Sequence, residues 1–103
     1  MSLRMVAEAK AEVRSAANWY NKEREGLGNE FVADIHLALD AIERAPEVYP
    51  HMETTRTKRN LRRYLLQRFP YMLIYELRQD AIVVVAVSHA SRRPNYWLRR
   101  RVD

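Results

Sequence analysis

Arg68-Phe69-Pro70-Tyr71-Met72-Leu73-Ile74-Tyr75-Glu76-Leu77 is followed, after Arg78-Gln79-Asp80, by Ala81-Ile82-Val83-Val84-Val85-Ala86-Val87-Ser88. The chain then enters His89-Ala90-Ser91-Arg92-Arg93-Pro94-Asn95-Tyr96-Trp97. Residues 71–77 alternate, with Tyr71, Leu73, Tyr75 and Leu77 on one face and Met72 and Ile74 on the other, which predicts a strand. Residues 81–88 are apolar on both faces, the pattern of a central strand. Gln79-Asp80 makes the turn between them. A buried hairpin therefore runs straight into a cluster of histidine, arginine and aromatic side chains, held at a strand end where a ligand could be met by rigid groups.

Working outward, residues 61–66 are a third strand, and residues 2–6 read either as a short first strand or as a helix start. Residues 7–23 are helical, with Val6, Ala9, Val13, Ala16, Ala17 and Tyr20 forming an apolar stripe; Glu8, Glu12, Arg14, Lys22 and Glu23 fall on the water side. Gly26-Leu27-Gly28 breaks that pattern. Asn29 is placed to cap a second helix over residues 30–45, with Phe31, Ile35, Ala38, Leu39 and Ile42 as its stripe, before Pro46 and Pro50 impose an irregular segment. Pro94 could open a short C-terminal helix carrying Tyr96, Trp97 and Arg99-Arg100-Arg101. The expected architecture is one α+β domain over residues 1–103. An antiparallel helical hairpin packs on one face of a three- to four-stranded antiparallel sheet, and the other face is left open for binding.

The 103 residues contain no cysteine, so disulfides and thiolate metal sites are excluded, in keeping with a reducing cytoplasm. The longest apolar run, 81–87, is far short of the ~20 residues a membrane helix needs, and no apolar signal segment opens the chain. Charge is divided: residues 1–53 hold six Lys/Arg against ten Asp/Glu, and residues 54–103 hold twelve against three. The basic half would attract phosphates or an acidic protein. Ser88 and His89 are adjacent and point to opposite faces, so they form no nucleophile–base pair. His36, His51 and His89 lack ligand spacing and no glycine-rich phosphate loop exists, so neither metal nor cofactor is expected. Trp19, Tyr20, Phe31 and Phe69 read as core.

Several pieces recur together: Ala16-Ala17-x-Trp19-Tyr20, Gly26-Leu27-Gly28-x-x-Phe31, Pro46-x-x-Tyr49-Pro50, Arg68-Phe69-Pro70-Tyr71 with Tyr75, and His89-x-x-Arg92-x-Pro94-x-Tyr96-Trp97. In this combination the chain resembles the RelE/ParE superfamily of toxins from bacterial type II toxin–antitoxin operons, often called plasmid stabilisation proteins. The resemblance implies a small basic toxin neutralised by a cognate antitoxin. It also implies one of two targets. RelE-like members are endoribonucleases that cleave ribosome-bound mRNA; ParE-like members inhibit DNA gyrase without catalysis. An inactive member that only binds antitoxin is a further alternative.

RNA cleavage by a 2′-hydroxyl needs a base, cations for the charged phosphorane and an acid for the leaving oxygen. His89 is the natural acid or base, because imidazole ordinarily titrates near ~6.5. Arg68, Arg92, Arg93 and Arg63 are candidate phosphate clamps, with Lys58, Arg59 and Arg62 extending the basic surface. Tyr96 could stack on a base or give a proton, and Glu53 with Lys58 could serve as another base and clamp. In RNA-cleaving relatives, basic strand residues and a C-terminal His or Tyr do this work, a pattern His89 and Tyr96 share. The competing reading is structural: His89 caps its strand, and Arg92, Tyr96 and Trp97 pin the C-terminal segment to the sheet.

Overall fold

The computed structural model describes residues 1–52 and 58–102. Its elements are β1 (Ser2–Met5), α1 (Ala7–Glu23), α2 (Leu27–Arg44), β2 (Leu61–Leu65), β3 (Tyr71–Leu77) and β4 (Ala81–His89). The strands form one sheet in the order β1-β4-β3-β2. The helical hairpin lies on one face of it. There the rings of Tyr20, Phe31, Phe69 and Tyr71 pack with centroids 4.9–6.2 Å apart. Edge-to-face contacts of this kind add directional energy to the apolar area they bury. Tyr75 also faces the helices: its hydroxyl donates to the Pro46 carbonyl at 2.7 Å, fastening the end of α2 to β3.

The sheet is mixed, where an antiparallel one was expected. β2, β3 and β4 are antiparallel, but β1 runs parallel to β4, pairing Ser2 with Ala81 through Met5 with Val84. The reason lies in the connection. The last rung is the Val6 N–H to the Val84 carbonyl at 3.0 Å, and α1 begins at the next residue. The chain must cross the sheet face through both helices before reaching β2 on the far edge, and a crossover of that kind serves a parallel pair. β4 is thereby the central strand expected from its apolar run; Ile82 to Val87 are each no more than 2% exposed. Opposite Ile74 and Tyr75, β4 carries one extra residue, Val85, as a β-bulge.

Two further expectations are corrected. The second helix starts at Leu27 rather than residue 30, and Asn29 is not its cap. Gly26 takes a left-handed conformation (φ 87°), which turns the chain sharply enough for α2 to begin at once. The cap comes from α1, whose Asn21 Oδ1 accepts from the Gly28 N–H at 2.7 Å. The C-terminal helix is absent: residues 94–99 form turns, with Leu98 N–H on the Asn95 carbonyl and Arg100 N–H on the Trp97 carbonyl. Asn95 sits at φ 66°, which a right-handed helix does not admit. Nor is the second face of the sheet open. Trp97 is 1% exposed, and Arg59 bridges Glu76 on β3 (2.9 Å) to the Leu98 carbonyl (3.1 Å).

The two glycines give a direct test of the turn. A Cβ on Gly28 would lie 2.1 Å from the Ala17 carbonyl oxygen, whereas one on Gly26 would meet nothing within 4 Å. Gly28→Ala is therefore expected to lower stability by about 3 kcal/mol through overpacking, and Gly26→Ala by only about 1 kcal/mol through backbone strain, read from denaturant midpoints. The tyrosines give a second test. Burial pushes the Tyr75 phenol up to about 12 and raises those of Tyr20 and Tyr71 above 10.0. Unfolded tyrosines ionise near 10.0, so this contribution to stability is whole below that value and falls away as pH rises toward about 12. Phenolate absorbance and circular dichroism should change together on alkaline titration.

Candidate functional site: the groove between α1 and the end of β4

β1 ends at Met5, but β4 continues to His89, so among the described residues the outer edge of β4 beyond Val84 has no strand beside it. Side chains satisfy that edge. Glu12 on α1 accepts the Val87 N–H at 2.9 Å, and Arg100 donates to the Val85 carbonyl at 2.9 Å. Arg100 also grips Glu12 in a two-toothed pair of 2.8 and 3.0 Å, and the Tyr96 hydroxyl donates to Glu12 at 2.5 Å. Burial and the bond to Glu12 raise the Tyr96 phenol above its ordinary value, and Glu12 likewise raises Arg100. The Arg92 guanidinium lies 3.8 Å above the Tyr96 ring and 3.8 Å from Glu12. Arg4 on β1 donates to the Val102 carbonyl. One carboxylate thus joins α1, the β4 edge and the C-terminal segment.

Beside this junction lies a groove of about 570 Å³ between α1 and the start of β3 and end of β4. Its wall is a run of rings. Trp19 and Tyr20 are 5.1 Å apart, Tyr20 and Tyr71 6.2 Å, and Tyr71 and His89 5.0 Å. His89 and Arg92 both line it. His89 Nδ1 accepts the Ser91 N–H at 3.0 Å and lies 2.8 Å from the Ser91 hydroxyl. The backbone bond requires an unprotonated Nδ1, so in this arrangement the neutral ring carries its proton on Nε2.

The other expected site residues are scattered. Tyr96 adjoins the groove with its hydroxyl on Glu12. Arg68 pairs with Glu30 of α2 at 2.6 Å, and that guanidinium holds the Glu30 carboxyl below its ordinary value. Arg59 is engaged by Glu76; Arg62 donates to the carbonyls of Glu47 and Tyr49, both at 2.8 Å; Arg63 donates to that of His51 at 2.9 Å. Lys58 and Arg93 are exposed. Glu53 lies outside the described residues. Two residues differ from their expected placing, and a third carried no site expectation. Trp19, expected in the core, is 56% exposed, while its companions Tyr20, Phe31 and Phe69 are buried. Glu12, placed on the water side, is the junction; the signal was its position three residues after Ala9 and four before Ala16, flanking the apolar stripe. Arg100 gave no signal within its run of three arginines.

A family model described as the ParE toxin of the type II toxin–antitoxin system parDE matches residues 3–94. A solved structure of the chromosomal ParDE toxin–antitoxin system from P. aeruginosa superposes with a TM-score of 0.76 at 15% identity, covering 88% of this chain and 97% of the other. No curated protein matches. Among the described residues, no helix is long and apolar enough to cross a membrane.

The junction makes a graded prediction. Glu12 and Arg100 side chains are each 14% exposed, so Glu12→Ala, which strands a shielded guanidinium, is expected to cost about 3 kcal/mol. Arg92→Ala, removing a 54% exposed group, is expected to cost under ~1 kcal/mol. Denaturant unfolding of both variants measures the difference.

Proposed function

Because the chain belongs to the ParE toxin family of type II toxin–antitoxin systems, we propose that it arrests growth as a non-catalytic inhibitor of DNA gyrase, held in check by a cognate antitoxin. The observation that carries this reading is the engagement, by the protein itself, of most of the groups RNA cleavage would need. The Tyr96 hydroxyl is bound to Glu12, His89 Nδ1 to Ser91, and Arg68 to Glu30. Arg59, Arg62 and Arg63 bind carboxylate or carbonyl groups of the protein itself. A cleavage site needs an acid, a base and free phosphate clamps converging on one phosphorus, and inhibition by binding needs none of these. Cleavage of ribosome-bound mRNA is the second reading, favoured by the placing of His89 and Arg92 in one groove.

Expression without antitoxin, followed by primer extension on cellular mRNA and a supercoiling assay with purified gyrase, separates the two. We expect supercoiling to be blocked and mRNA to gain no new ends; cut mRNA with unaffected gyrase would overturn the proposal. His89→Ala is expected to keep growth arrest within a few-fold. A loss of ~10²-fold or more, the size of an acid–base contribution, would point to cleavage.

A further inference from the structure

Residues 81–102 hold five arginines and no carboxylate. Two of the five are engaged inside the molecule: Arg100 pairs with Glu12 at 2.8 Å, and Arg92 lies on the Tyr96 ring. Among the described residues, the side chains of the other three, Arg93, Arg99 and Arg101, form no ion pair or hydrogen bond, and all three residues are exposed. Arg93 and Arg99 border one hollow of about 340 Å³, together with Asn95 and Leu98. The backbone that carries them is held in place. Trp97 is 1% exposed, Arg59 donates to the Leu98 carbonyl at 3.1 Å, and the Arg100 N–H donates to the Trp97 carbonyl at 3.1 Å. Unpaired cations on a fixed turn can meet an anion without first ordering the backbone.

We propose that this C-terminal turn is a contact for the phosphate backbone of duplex DNA. Three features select that occupant. The free groups are all guanidiniums, whose planar forks fit phosphate oxygens in pairs. A single-stranded nucleic acid needs ring faces on which its bases stack, and the turn offers none. Trp97 is buried, and the Tyr96 ring already carries the guanidiniums of Arg92 and Arg100, at 3.8 and 5.0 Å from its centroid. A protein partner needs an apolar anchor, and the exposed large apolar side chains, Trp19, Leu37, Val48 and Leu65 with Met1, all lie outside residues 81–102. What the turn presents is charge for phosphates alone, which binds a duplex by its backbone and without regard to sequence. The contact goes beyond gyrase inhibition and rests on that reading in one respect only, that the DNA the toxin touches is the DNA gyrase handles.

Salt dependence makes the test quantitative. The probe is a fluorescein-labelled duplex of about 20 base pairs and arbitrary sequence, titrated with the full chain at salt from ~50 to ~200 mM and read by anisotropy. Release of counterions from three phosphates gives a slope of about −2.7 in log affinity against log salt, so affinity should fall about 40-fold across that range. Arg93→Gln, Arg99→Gln and Arg101→Gln should each make the slope shallower by about one and weaken binding alike on any sequence. Lys22→Gln, on an exposed residue about 15 Å along α1 from Glu12, should bind as the parent does. Far-ultraviolet circular dichroism confirms that each variant is folded. Duplex affinity that salt does not move, or that the three substitutions together do not move, overturns the proposal. So does single-stranded RNA bound in preference to the duplex, or antitoxin binding that falls with these arginines while duplex binding does not. Gyrase blocked by a chain with no affinity for DNA overturns the proposal and leaves gyrase inhibition standing. DNA bound through these arginines with supercoiling unaffected upholds the proposal and overturns gyrase inhibition.

Discussion

The fold turns on an unequal pair of strands. β4 is nine residues long and β1 only four, and they start in register, so the outer edge of the sheet's central strand is left half covered. Unpaired backbone groups beside a buried core are costly. A longer β1 would have met the need; the chain instead places Glu12 on the Val87 N–H and Arg100 on the Val85 carbonyl. The β-bulge at Val85 sits at the same place, where the pleat is interrupted and the carbonyl is turned toward Arg100. Once those two side chains are there, they bind each other, and Tyr96 and Arg92 gather on them. The anchoring of the C-terminal segment and the shape of the groove both follow from that one uncovered stretch of edge.

Periodicity carried most of the fold. α1, β3 and the body of β4 are long enough for alternation or a helical stripe to declare them, and their observed limits fall on the expected residues or within one of them. The misses share a cause: each depends on a partner remote in sequence. Four residues of β1 hold no pattern that specifies direction; the crossover through the helices does. The cap of α2 is Asn21, seven residues upstream and on another helix. The C-terminal turns exist because Trp97 finds a buried place and Asn95 adopts a left-handed conformation, and neither is visible in Pro94 followed by aromatics.

The basic half of the chain shows how far charge counting reaches. A surplus of nine positive charges over residues 54–103 reads as a surface for phosphate. In the structure, Arg59, Arg62, Arg63, Arg68 and Arg100 each bind a carboxylate or carbonyl of the protein. Guanidinium groups suit this work because their planar fork satisfies two acceptors at once. Sequence spacing could gather His89 and Arg92 into one site, since they are three residues apart on a strand end, and the groove contains both. It could not separate structural arginines from free ones, because that distinction belongs to the loop carbonyls they meet.

The parallel pairing of residues 2–5 with residues 81–84, together with the bond from Arg4 to the Val102 carbonyl, bears on how the protein comes into being. Synthesis proceeds at roughly 5–20 residues per second, from the N-terminus onward. The helical hairpin emerges early, yet the strand it grows from is not fully paired until residue 84 has cleared the ribosome, and the Glu12 carboxylate does not hold its full set of partners until residue 100 has. Contacts this distant in sequence close late. The nascent chain therefore lacks its finished groove for nearly the whole of its synthesis.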